Sequence, residues 1–368
     1  MKVILILPSQ KSVYSNLYEV YYDLYNALIE VGVQCDIVEV MFEGNVKFPF
    51  HLVREIDARE LSGLLNSEAG SDTFFITVDD YRILKWIRKQ DIFKNLIIWA
   101  HYFYGARYIF KSYRLGRSPL TNTLDDKLKN KLAAYVPSAF AIRQSVFYWK
   151  TLKIYPVFSQ SIWTGLLLER VFNVPVLGNI LIPVDPDLFG FDLTDERKGI
   201  LVFLGSALDT DLRVLWTVLK SIRTDYWGGI DYFGNENSGR RFERAYGVKM
   251  NFVGSLSREE LIKQYSSHFF TIAPIFNGNF EMVPIQSLLS GTPVITFLQP
   301  FMEVTGNHLM IANINNIGEL RDKVPRWKHL DLKTREGIRS IILGKMNAKN
   351  VADDLLYKIS KIKRDQWE

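Results

Sequence analysis

Apolar positions fall into two alternating patterns along the chain. Val3–Leu7 is a short apolar run. Val13–Val31 then carries apolar and aromatic residues at helical spacing and stops at Gly32. Val33–Val40, Thr73–Val78 and Leu96–Ala100 are further apolar runs, and a helical YRILKWIRK follows Val78. Tyr155–Ser159 reads as a strand, Ser161–Val171 as a helix, and Val176–Pro183 closes this first half. The pattern restarts at Ile200–Leu204. Thr210–Ile222 (helix), Ile230–Phe233 and Met250–Val253 (strands), Ser257–Ser266 (helix), Phe269–Ala273 (strand), Val283–Leu289 (helix) and Pro293–Phe297 (strand) follow. Met310–Ile314 reads as a last strand, and Ile317–Val324, Leu332–Leu343 and Asn350–Ile362 as closing helices.

Strands that alternate with helices predict parallel βαβ units. Strands that are apolar throughout predict sheets covered on both faces. The fold class is therefore α/β, with two tandem Rossmann-like doubly wound domains facing a central cleft. Residues 1–183 form the first domain. The Pro-, Gly- and charge-rich stretch 184–199 is the linker, 200–345 form the second domain, and 346–368 is a candidate to pack back on the first. In such sheets ligands bind outside the carboxyl ends of the strands.

Length agrees with this division, since 368 residues exceed one ordinary core. Apolar residues make up 48% and charged residues 23%, a globular composition. The single cysteine, Cys35, allows no internal disulfide. The opening MKVILILPSQ is too short an apolar run for a signal peptide and reads as a buried strand. No apolar run approaches the roughly 18–20 residues that span a bilayer, so a cytoplasmic protein, soluble or peripheral on the membrane, is expected.

Charge changes that picture locally. The net charge is +5, but Tyr81–Tyr155 holds 15 Lys and Arg against Asp91, Asp125 and Asp126, a local +12. A basic segment in an otherwise acidic chain points to an anionic membrane surface, a lipid phosphate or nucleic acid; the other reading is a solvated helical face. Nucleic acid is not expected as a partner, because no binding motif accompanies the charge and the charge is not gathered on one helix.

The chemistry-bearing stretches lie at strand ends. NGNFEMVPIQSLLSGTPVI (Asn277–Ile295) combines a loop, a helix with Pro284 in its first turn, a stop at Gly291 and a β-branched strand. A helix start binds phosphate through unpaired N–H groups and a partial positive charge. Gly205–Ser206–Ala207 after the strand Ile200–Leu204 is a second such turn, where Gly205 permits close backbone approach. Ordinary strand–helix punctuation is the competing reading of both.

Four stretches in order resemble the GT-B-fold glycosyltransferases, specifically the retaining family 4 group that includes glycogen-synthase-like and mannosyltransferase-like enzymes. They are PVFSQSIWTGLLLERVFNVPVLGNILIPVDPDLFG, ILVFLGSALD, MNFVGSLSREELIKQYSSHFFTIAP and FEMVPIQSLLSGTPVI. The resemblance implies transfer of a sugar from a nucleotide-diphosphate donor to a hydroxyl, with the anomeric configuration kept and the nucleotide sugar as co-substrate. No cofactor is implied, and no cluster is taken to demand a metal. Donor contacts are expected from Gly205, Ser206, Arg213, Gly254, Asn279, Phe280, Met282, Val283, Pro284 and Gln286. His101, at the end of Leu96–Ala100, corresponds to a family histidine near the donor sugar. Pro8, Ser9 and Tyr14 would lie where acceptor or donor approaches.

The chain departs from the family at several of these positions. Gly278 and Gln286 stand where the family has acids for the sugar and the ribose, and Ser206 and Asp211 where it has phosphate-gripping cations. Arg213 is the nearest substitute cation. Glu281 stands three residues after Gly278; it, or the backbone of Asn277–Phe280, is the candidate to reach the sugar, the other reading being a helix-entry acid. Gln286 still offers an acceptor and adds a donor. The acceptor is expected to be a glycan or lipid-linked glycan at an anionic membrane. A non-catalytic GT-B protein that binds a nucleotide sugar or a partner is the alternative.

Overall fold

The computed structural model describes residues 1–8, 16–41, 53–57, 60, 61, 63, 67, 72–88, 95–101, 139–186, 197–205, 212–222, 227–274 and 281–365. The chain divides into two compact units. Among the described residues, the first comprises those up to 101, 139–185 and 346–365, and the second 186 and 197–345.

The first unit is a seven-stranded sheet ordered β3-β2-β1-β4-β5-β6-β7, and every pairing is parallel. Its strands are β1 (Lys2–Pro8), β2 (Gln34–Met41), β3 (Val53–Asp57), β4 (Thr73–Val78), β5 (Leu96–Ala100), β6 (Val157–Ser159) and β7 (Gly178–Asn179). Among the described residues its helices include α1 (Asn16–Glu30), α2 (Tyr81–Ile87), α3 (Ala139–Leu152) and α4 (Ile162–Phe172). β4 and β5 are buried at every position, as a sheet covered on both faces requires. The core on one face joins Ile4, Ile6, Ile83, Leu84, Ile98 and Tyr148. Gly32 follows α1 with φ +82°, the left-handed conformation a helix stop uses.

The second unit repeats the plan with six parallel strands ordered β10-β9-β8-β11-β12-β13. These are β8 (Ile200–Leu204), β9 (Ile230–Gly234), β10 (Asn251–Phe252), β11 (Phe270–Ala273), β12 (Val294–Thr296) and β13 (Ile311–Asn313). Its helices are α5 (Leu212–Ser221), α6 (Glu236–Tyr246), α7 (Arg258–Ser267), α8 (Met282–Leu289), the single turn α9 (Met302–Thr305), α10 (Ile317–Arg326) and α11 (Leu332–Met346). α12 (Ala348–Asp365) belongs to the first unit, where it packs on α1; Val184 bridges Asn347 and donates its N–H to the Met346 carbonyl at 2.7 Å.

Strand order reverses once in each sheet, between β1 and β4 and between β8 and β11. A doubly wound sheet opens a crevice at the carboxyl ends of the strands on either side of that reversal. The expected two-domain α/β fold is therefore present. Several boundaries contract: the strand expected over Tyr155–Ser159 is Val157–Ser159, Val176–Pro183 pairs only at Gly178–Asn179, and Thr210–Ile222 is helical over Leu212–Ser221. β3, α3 and α6 lie outside the elements read from the pattern. Among the described residues, no helix is long and apolar enough to cross a membrane.

Candidate functional site

In the second unit, β8 delivers Leu204 and Gly205 to the carboxyl edge of the sheet. The Leu204 carbonyl accepts the Asn235 N–H at 2.7 Å, and the Gly205 carbonyl accepts the Ser238 hydroxyl at 3.1 Å. A close approach makes this tie work. Gly234 has φ +99°, and a Cβ there would lie 2.5 Å from the Leu204 carbonyl oxygen. Asn235 caps α6 by accepting the Ser238 N–H at 2.9 Å. Gly239 lets α6 settle against β9, since a Cβ would stand 2.2 Å from Cζ of Tyr232. Gly254 follows β10 with φ +96° and open space around its missing Cβ.

α8 starts beyond β11 on the far side of the reversal. Glu281 occupies its N-cap in an extended conformation and makes no side-chain capping bond. Pro284, within the first turn, removes an N–H that has no intrahelical acceptor in any case. All eight residues of the helix are buried. They are tied down by hydroxyls: Ser287 donates to the Thr292 carbonyl at 3.0 Å and shares a hydroxyl–hydroxyl bond with Thr271 Oγ1 at 2.9 Å, and Thr292 donates to the Tyr265 carbonyl at 2.7 Å. Gln286, 3% exposed, turns its Oε1 to the Tyr265 hydroxyl at 3.4 Å. Burial pushes the Tyr265 phenol well above its ordinary range, so it stays a neutral donor. The start of α8 thus offers its first-turn backbone and the helix dipole to an anion, beside a buried neutral carboxamide.

In the first unit, β4 and β5 deliver Asp79 and His101. Asp79 Oδ1 accepts the His101 N–H at 2.6 Å, and Oδ2 accepts the Tyr148 hydroxyl at 2.5 Å. Asp80 accepts the Arg82 N–H at 2.8 Å, capping α2, and pairs with its guanidinium at 3.0 Å. The His101 ring meets Trp99 edge-on at 4.3 Å between centroids and lies 5.9 Å from the Tyr21 ring. Among the described residues, His101 Nε2, the Tyr21 hydroxyl and Gln160 Oε1 are buried without a hydrogen-bond partner. Burial lowers the His101 pKa to about 3, so the imidazole is neutral at physiological pH. A neutral ring can exchange one hydrogen bond with a ligand hydroxyl, but it is not a resting acid.

Among the expected contacts, Gly205, Gly254, Glu281, Met282, Val283, Pro284 and Gln286 all belong to the second unit, at or beyond the carboxyl ends of its strands. Val283 packs its side chain into a core cluster with Leu201, Phe233, Tyr265 and Ala273, which leaves its backbone as the part a ligand could meet. Arg213 is exposed on the first turn of α5. Pro8 ends β1, and its carbonyl accepts the Tyr18 hydroxyl at 3.4 Å. Ser9, Tyr14, Ser206, Asn279 and Phe280 lie outside the described residues, as do Gly278 and most of the basic stretch 81–155. Asp79, Tyr21, Tyr148, Gln160 and Tyr265 were not anticipated. The acid directly after the apolar run Thr73–Val78 was the available signal for Asp79. The tyrosines carried none, because an aromatic inside a helix reads as core.

No family model and no curated protein matches the chain. Solved structures do match in fold over nearly the whole length. Sucrose-phosphate synthase from Thermosynechococcus elongatus is 15% identical with a TM-score of 0.64, covering 98% of this chain and 99% of that one. The catalytic domain of starch synthase IV from Arabidopsis thaliana, bound to ADP and acarbose, is 10% identical with a TM-score of 0.66, covering 99% of each. An α-glucosyltransferase in complex with UDP and a 13-mer DNA containing an HMU base is 10% identical with a TM-score of 0.63, covering 98% of this chain and 99% of that one. At these identities the likeness is one of fold.

Proposed function

We propose that the protein is a glycosyltransferase that moves a sugar from a nucleotide-diphosphate donor to a hydroxyl acceptor, with retention and without a metal. The observation that carries the reading is the fold likeness to several sugar-transferring proteins over 98% or more of the chain. The start of α8 and the Gly205 turn, on the strands flanking the reversal in the second sheet, support it.

In the proposed reaction, positive charge grows at the anomeric carbon while the diphosphate departs. The backbone of the first turn of α8 and its dipole stabilise the leaving diphosphate, helped by Arg213. Gly205, Ser206 and Gly254 admit the nucleotide closely, and Gln286 bonds the ribose diol. Glu281 or the backbone of 277–280 holds the sugar, and neutral His101, in the first unit, is a separate candidate to hydrogen-bond a hydroxyl of a bound substrate. The departing phosphate accepts the acceptor's proton, so no side-chain nucleophile is needed. Pro8, Ser9 and Tyr14 orient the acceptor, a glycan or lipid-linked glycan brought to an anionic membrane by the basic stretch 81–155.

A second reading, a GT-B protein that binds a nucleotide sugar without transferring it, has one observation in its favour: Gln286 is an amide engaged by Tyr265 where the resembling family has an acid. A thermal-shift screen against UDP, ADP and GDP and their sugar conjugates, followed by donor hydrolysis and transfer assays, tests both. A nucleotide that binds only the folded state raises its melting point. Binding with turnover supports the transferase, and binding without turnover supports the second reading. Melting that no nucleotide shifts would refute both. Gln286→Ala and His101→Ala should each weaken the shift or the transfer rate. Single-stranded DNA belongs in the acceptor panel, and transfer to it would overturn the expectation of a non-nucleic-acid acceptor.

A further inference from the structure

The three polar atoms buried without a partner at the carboxyl edge of the first sheet, His101 Nε2, the Tyr21 hydroxyl and Gln160 Oε1, are brought to one face by the fold. Ala100 pairs with Ser159 in the β5–β6 ladder, so His101 and Gln160 are the next residues along two adjacent parallel strands, which lie about 4.8 Å apart. Side chains alternate across a strand. His101 therefore shares the face of Trp99, and the two rings meet at 4.3 Å. Gln160 shares the face of Phe158. The Ser159 side chain takes the other face, against α4, where a Cβ on Gly165 would lie 2.9 Å from its Oγ. Phe158 looks toward α12, since a Cβ on Gly178 would lie 3.8 Å from Phe158 Cε1 and 3.7 Å from Lys358 Cε. α12 packs on α1, the helix that carries Tyr21. The Tyr21 ring completes the group, 5.7 Å from Trp99 and 5.9 Å from His101.

A buried polar atom whose bond is unmade costs stability. The chain carries that cost three times at the strand ends, where a doubly wound sheet takes its ligands. All three groups are neutral. Burial lowers the His101 pKa to about 3, and burial with the charge of Asp79 raises the Tyr21 phenol well above its ordinary range. Gln160 Oε1 accepts, the Tyr21 hydroxyl donates or accepts, and His101 Nε2 does either according to its tautomer. A ligand hydroxyl matches this set, because it donates one bond and accepts two. An anion does not, because Asp79, which holds the His101 N–H at 2.6 Å, would repel it. An ammonium or a carboxylate would also lose far more hydration on entry than a hydroxyl does.

We propose that Tyr21 and Gln160, with His101, form a subsite in the first unit that binds a hydroxyl of an uncharged sugar. The choice of a sugar as carrier of that hydroxyl rests on the sugar-transfer reading; the convergence of the three groups does not.

Saturation-transfer NMR on the full chain at pH 7.5, with no nucleotide present, tests the subsite. The probes are glucose, galactose, mannose and N-acetylglucosamine, with glucuronate as the anionic control, on the wild type, Tyr21→Phe and Gln160→Met. At least one neutral sugar should receive saturation from the wild type, and glucuronate should receive less. The dissociation constant of that sugar should rise about 3- to 10-fold in each variant, the worth of one neutral hydrogen bond. Without sugar, both variants should melt at or above the wild type, because an idle buried polar atom has been removed. Four results would overturn the proposal: no saturation of any neutral sugar, which leaves water alone in the subsite; equal saturation of glucuronate; undiminished binding in both variants; or a lower melting point of both variants in plain buffer, which makes the groups structural. If Tyr21→Phe does not fold, Gln160→Met decides the same question. The nucleotide screen succeeds or fails separately, since this experiment contains no nucleotide and needs no turnover.

Discussion

Acidification gives a quantitative test of the environment assigned to His101. Burial lowers its pKa from the ordinary 6.5 to about 3. Between those values the unfolded chain binds a proton that the folded chain refuses, so stability falls as pH falls. The contribution is constant above pH 6.5 and stops changing below about 3. Each pH unit in the window is worth about 1.4 kcal/mol, so lowering the pH from 7.5 to 5.0 crosses 1.5 effective units and costs about 2 kcal/mol. His101→Gln removes the titrating group and keeps a polar side chain next to Trp99. Urea unfolding of both proteins at pH 7.5 and 5.0 gives the comparison. The wild type should lose about 2 kcal/mol more than the variant over that interval. Subtracting the variant cancels the other histidines, including His308, whose pKa burial and Lys323 also lower. Equal losses in the two proteins would refute the reasoning, as would an imidazole NMR resonance of His101 that titrates between pH 7.5 and 5.0.

Three further outcomes follow from local geometry. Gly239→Ala places a methyl 2.2 Å from the Tyr232 ring and should cost about 1–3 kcal/mol by urea unfolding, a loss that Tyr232→Leu in the same chain should partly relieve. Ser161→Ala removes the acceptor that caps α4 through the Thr164 N–H at 3.1 Å and should cost about 1 kcal/mol. Cys35, whose thiol burial and the charge of Asp36 push up to about 12, should resist alkylation in the folded chain at pH 8 and react fully once the chain is unfolded in urea.

The comparison of pattern with structure is most instructive where the two diverge. Strands whose neighbours cover both faces are continuous apolar runs, so Thr73–Val78, Leu96–Ala100 and Ile200–Leu204 were legible to the residue. α6 was not. Its sequence ENSGRRFERAY buries only Phe242 among its large apolar residues, with Tyr246 packed beside it, so its packed face is too sparse in apolar residues to stand out in the pattern. It is held by the Asn235 cap, by the left-handed Gly247 at its end, and by the approach to β9 that Gly239 allows. The caps could have been read; the approach could not, because it depends on which strand lies beneath. β3 was missed for a related reason, since VREID alternates weakly and becomes a strand by pairing with β2.

The chain by itself therefore determined the alternation of strands and helices, the division into two α/β units and the residues that reach the strand ends, since all three follow from periods and punctuation that neighbours along the chain enforce. Only the tertiary structure decided the strand order with its two reversals, the neutrality of His101, the contact between Gln286 and Tyr265, and the idle polar atoms of Tyr21 and Gln160. Each of these depends on desolvation and on partners far apart in sequence, and burial is a property of the packed assembly, not of any residue in it.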